Sequence, residues 1–128
     1  MANLFVSLAL VLLFGNVASA GEPTRLSVTV AAYAAIKGQT DSTPNVTASG
    51  LRITSKHHGN VVALSSDLKK HFKFGDRIKI YVGNQVIDAV CEDVMHPKWR
   101  KRVDLLLSST KACFKWGLKK GVILVNAE

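Results

Sequence analysis

Three aspartates carry the chemistry this sequence offers. Asp41 lies in the polar stretch Gly38-Gln39-Thr40-Asp41-Ser42-Thr43-Pro44, Asp93 in Val90-Cys91-Glu92-Asp93, and Asp104 in Arg102-Val103-Asp104-Leu105. The last two each sit at the edge of an apolar, strand-like run, so folding can bring carboxylates from distant segments to one rim of a β core. That arrangement suits general acid/base work, which requires an acid whose pKa is raised by an apolar setting or a like-charged neighbour. Asp104, between Val103 and Leu105-Leu106-Leu107, has the apolar setting, and Asp93 is the candidate neighbour. The competing structural role is turn capping, or pairing with Arg100, Lys101 or Arg102.

The first twenty residues differ in character from the rest. An apolar run from Leu4 to Phe14 leads to Gly15, Asn16 and the small-residue ending Ala18-Ser19-Ala20, the pattern of a signal peptide cleaved after Ala20. The run falls short of the roughly 20 residues a spanning helix needs, so no stable membrane anchor is expected after cleavage. Residues 21–27 read as an N-terminal tail and residues 28–128 as one domain.

The chain has 17 Lys and Arg against 9 Asp and Glu, a formal charge of +8 that favours polyanionic partners. Export separates it from most nucleic acid, and no nucleic-acid motif appears, so cell-wall polymers and anionic membrane surfaces are the better candidates. The cations are dispersed except in Lys98-Trp99-Arg100-Lys101-Arg102. Cys91 and Cys113 are the only cysteines, and in an oxidising compartment an even pair is expected to form a disulfide. His57, His58, His71 and His96 lack metal-ligand spacing, and Gly-rich phosphate loops are absent, so neither a metal nor another cofactor is called for.

The elements that must position the aspartates follow from periodicity. Apolar residues alternate from Leu26 to Tyr33, the period of a half-buried strand. Val61–Leu64, Ile78–Val82, Val86–Cys91, Val103–Leu107 and Val122–Val125 supply five more strands, with Gly83-Asn84 as a hairpin turn. A short helix runs from an N-cap at Ser108 or Ser109 to Gly117, with Ala112, Cys113 and Trp116 on its apolar face, and a second short helix or turn spans Ser66 to His71. Six short strands with one or two short helices predict a mainly β fold, a small closed barrel.

The ordered set Val30-Ala31-Ala32-Tyr33, Gly38 to Pro44, Thr47-Ala48-Ser49-Gly50, Val62-Ala63-Leu64-Ser65, Phe74-Gly75-Asp76, Asp93, Val103-Asp104 and Ala112 to Gly117 resembles the three-aspartate (3D) domain family. The resemblance implies a six-stranded double-psi β-barrel and peptidoglycan cleavage by a lytic transglycosylase. One carboxyl would protonate the glycosidic oxygen and then take the proton of the sugar's 6-hydroxyl. It assigns the general acid then base to Asp104, with Asp93 and Asp41 tuning or positioning it. The glycine pair that follows the preceding aspartate in the family is replaced here by Val94-Met95-His96-Pro97.

On that reading Tyr33 and Trp99 would stack on sugar rings, Thr40, Thr47 and Ser49 would bond sugar hydroxyls or form turns, and Lys98, Arg100 and Arg102 would meet peptide-stem or lactyl carboxylates. The expectation is an exported, periplasmic or extracellular monomer acting on peptidoglycan strands. The alternative is a noncatalytic glycan-binding or expansin-like module of the same fold.

Overall fold

The computed structural model describes residues 22–36 and 43–125. The expected signal peptide, Thr40 and Asp41 lie outside the described residues.

Six strands close into one barrel: β1 (Thr24–Ala34), β2 (Val61–Leu64), β3 (Arg77–Val82), β4 (Gln85–Val94), β5 (Arg102–Leu107) and β6 (Lys119–Val125). Their order around the barrel is β1-β5-β2-β4-β3-β6. The β1–β5 and β2–β4 pairs are parallel and the rest antiparallel. This is the mainly β, six-stranded closed barrel that the strand pattern predicted, and it fits the double-psi barrel that the family resemblance implied.

Alternation sets the interior. Val28 and Val30, Val62 and Leu64, Ile78, Ile80 and Val82, Ile87, Ala89 and Cys91, Val103 and Leu105, and Ile123 form one buried cluster. Gly121 is required there, because a Cβ at that position would lie 2.8 Å from Val30 Cγ2 and 3.1 Å from Ile80 Cγ2. A second, smaller cluster of Tyr33, Val61, Ala63 and Leu106 forms from the alternate residues of the same strands, on the outer face. Leu51, Ile53 and Met95 pack over it, so the segment between Thr43 and Thr54 acts as a second layer.

β1 starts at Thr24, inside the expected tail, because its backbone pairs with β6 from Thr24↔Val125 onward. The β3–β4 hairpin turns at Gly83-Asn84 as expected; Gly83 has φ 55°, the position where a type II′ turn needs glycine. The single α-helix, α1 (Thr110–Trp116), is capped by Ser109, whose Oγ accepts from Ala112 N at 3.0 Å, and ends at Gly117 with φ 71°. Among the described residues no helix is long and apolar enough to cross a membrane.

Candidate functional site

Asp93 and Asp104 come to one face of the barrel through β2. Ala63 pairs with Asp93 of β4 on one side and with Asp104 of β5 on the other, and Asp104 pairs in turn with Ala31 of β1. The row therefore reads Asp93, Ala63, Asp104, Ala31 across four strands. Two strand spacings separate the aspartates' backbones, on the order of 10 Å. The cross-strand neighbours of Asp104 in this row are alanines, Ala63 and Ala31.

The two aspartates reach this face by different means. Val103 and Leu105 point inward, so Asp104 points outward by simple alternation. On β4 the same rule fails: Ile87, Ala89 and Cys91 are interior, and strict alternation would carry Asp93 into the core. A β-bulge prevents it. The register steps from Val62↔Cys91 to Ala63↔Asp93, so Glu92 is the extra residue and Asp93 moves to the outer face. Sequence reasoning missed this bulge, although the signal was present: a period-two run that would bury an aspartate calls for one.

Asp93 is held by three donors. Tyr33 Oη donates to Oδ2 at 3.3 Å, and the backbone N–H groups of Ala48 and Val94 donate to Oδ1, each at 3.0 Å. Together with the bond from Ser49 N to Glu92 O, these tie the outer layer to the bulge. The Tyr33 ring is only 8% exposed, so it offers the site a hydroxyl and no stacking face, a correction to its expected role. Burial, then the Asp93 carboxylate, then Asp104, push the Tyr33 pKa up. Thr47 is also buried, and its Oγ1 accepts from Leu51 N at 3.1 Å and lies 2.8 Å from Ser49 Oγ. It forms the turn, and of the pair only Ser49 is exposed to a ligand.

Among the described residues Asp104 has one hydrogen-bonded side-chain partner. Arg102, two residues earlier on the same face of β5, donates from Nε to Oδ1 at 2.7 Å. The Asp104 side chain is 14% exposed. Burial pushes its carboxyl above the ordinary range; the guanidinium works against that rise without cancelling it. The Arg102 guanidinium also stacks on Trp99, 4.1 Å from the ring centroid, and Lys98 Nζ lies 5.2 Å from the same centroid. Trp99 remains 40% exposed.

The basic run of the sequence thus divides. Lys98, Trp99 and Arg102 stand with Asp104, whereas Arg100 and Lys101 line a separate groove of about 520 Å³ with Tyr81 and Lys120. Lys101 takes φ 48° and its N–H bonds both carboxylate oxygens of Asp67, which turns the chain between the two halves of the run.

The expected disulfide is absent: Cys91 and Cys113 are free. Cys91 points into the barrel from β4, whereas α1 packs outside, against β1 and β5. β4 is three strands from β1 in either direction around the barrel, so the wall of the core stands between the thiols. Burial, followed by Asp76 and Glu92, pushes the Cys91 thiol up to about 12.

No family model matches the chain. No curated protein matches its sequence either. Among solved structures the barrel is similar to the apo expansin of Clavibacter michiganensis, with TM-score 0.55 and 14% identity over 82% of this chain and 51% of that one. At this identity the likeness is one of fold, and the chain spans about half the length of that expansin.

Proposed function

We propose that the chain is an expansin-like module that binds wall polysaccharide without cutting it, through the outer face of β2, β4 and β5. The observation that supports this reading most is the coupled set Trp99, Arg102 and Asp104. It combines an exposed indole for a sugar ring with a cation for acidic substituents of the glycan. Both aspartates of the row are already engaged, Asp93 by three donors and Asp104 by Arg102, which favours holding a ligand over cycling a proton. The double-psi barrel shared with an expansin fits the same reading. Peptidoglycan is the proposed polymer, in keeping with the +8 charge, and an exported, wall-associated monomer is the proposed setting.

Sedimentation with purified sacculi tests this. Wild type should pellet with them and release no soluble fragments, and Trp99→Ala should weaken binding about tenfold, as truncation of an aromatic anchor does. Binding that is unchanged in Trp99→Ala removes the proposed platform.

The raised pKa of Asp104 favours a second reading, lytic transglycosylation with Asp104 as acid then base. Mass spectrometry of the supernatant separates the two. Anhydromuramyl ends from wild type, reduced roughly 10²- to 10⁴-fold in Asp104→Asn, would establish the enzyme in place of the module.

A further inference from the structure

Beyond the aspartate face, the largest unexplained feature of the surface is at the end of α1. Phe114 is 82% exposed and Leu118 72% exposed, more than any other large apolar side chain among the described residues. The helix does not need them for docking, because Trp116 packs against the barrel cluster and its Nε1 donates to Val30 O at 3.2 Å. Gly117, with φ 71°, reverses the chain between them, and both side chains wall one groove of about 470 Å³ against Ala31 and Ala32 of β1.

The surroundings of this groove are basic. From Leu105 to Ala127 the chain has four lysines, Lys111, Lys115, Lys119 and Lys120, and no Asp or Glu. Lys111, Lys115 and Lys120 are exposed, and Lys119 Nζ sits 4.6 Å from the Trp116 ring centroid. Two protruding apolar side chains set in a field of lysines match one environment, the boundary between anionic headgroups and acyl chains. A second copy would bring the same lysines and another +8 against them. A protein partner would need a contact of roughly 800 Å² per side, whereas here two side chains stand out singly.

We infer that the Phe114–Leu118 face docks on an anionic lipid surface. Phe114 and Leu118 enter the headgroup layer, and the lysines hold the phosphates. Arg102 also lines this groove, so docking would place the Asp104 face beside the membrane.

The test is vesicle co-sedimentation of the chain as recovered from the producing cell. It uses phosphatidylcholine vesicles with and without about 30% phosphatidylglycerol, at low and raised salt. Binding should require the anionic lipid and weaken with salt. Phe114→Ser with Leu118→Ser should lower partitioning roughly tenfold or more. Lys111→Ser and Lys115→Ser should lower it about fivefold each. Phe114 and Leu118 are exposed and uncharged, so the melting temperature and sacculus binding of the double variant should stay at wild-type values, which separates this result from the polysaccharide reading. Equal binding to both vesicle types, no binding at low salt, or wild-type partitioning by the Phe114/Leu118 double variant overturns the inference. A dimer in sedimentation velocity that the double variant loses would overturn it in favour of self-association.

Discussion

The two faces of the same strands are built by opposite rules. Inside the barrel, residues from all six strands close on one another, and apart from Gly121 the arrangement is shared among many positions. Outside, on β1, β2 and β5, the small cluster around Leu106 and the aspartate row depend on a few particular residues: the Glu92 bulge, the Tyr33 hydroxyl, the turn at Thr47. The interior is set by period-two patterning repeated on every strand, so a one-residue slip in any of them would turn its apolar set outward. The outer face depends on individual contacts, and so does any function it carries.

Truncation on each face breaks the comparison most sharply. Ile80→Ala empties space inside a closed wall that cannot collapse, and should cost about 4 kcal/mol; Leu106→Ala lies under the segment from Thr43 to Thr54, which can settle, and should cost about 2 kcal/mol. Urea unfolding of both variants measures this, and equal losses would mean that the outer cluster is as rigid as the core.

A smaller effect isolates the clamp on the bulge. Tyr33→Phe keeps the ring and removes the donor to Asp93 Oδ2, so global stability should fall by only about 1 kcal/mol. The amide of Ala48, bonded to the same carboxylate, should exchange faster with solvent. Unchanged exchange at Ala48 would show that the outer layer is held without Tyr33.

The finest test concerns Asp104. Its carboxyl is raised by burial and opposed by Arg102, so a carboxyl-carbon titration should show a midpoint above the ordinary aspartate value. Because the guanidinium is the lowering influence, Arg102→Met should move that midpoint further up. A downward move would mean that Arg102 contributes more by excluding water than by its charge.

The interior was largely legible beforehand, since Ile78, Ile80 and Val82 or Val103 and Leu105 announce their period directly, and Gly83 and Ser109 mark a turn and a cap through backbone demands that few residues meet. The same period marks Asp104 as an outward residue of β5, although it lies within the strand and not at its edge. What escaped depended on register between distant strands. The period of β4 calls for a bulge but its place at Glu92 is fixed only against β2, the burial of Tyr33 only against the outer layer, and the separation of Cys91 from Cys113 only by the barrel's closure. The division of Lys98 to Arg102 turns on one positive φ at Lys101, a residue with no sequence preference for it.

The strand order also has a consequence in time. β1 pairs only with β5 and β6, which come from the far end of the chain, and β3 likewise takes β6 as its second neighbour. The first strand made therefore waits for the last, and only the β3–β4 hairpin can form early from sequence neighbours. Loop closure over that separation makes assembly slow, and the barrel closes only when Lys119 to Val125 joins β1 to β3. A chain interrupted before β6 would carry two unpaired strand edges, on β1 and β3, that invite pairing with other chains.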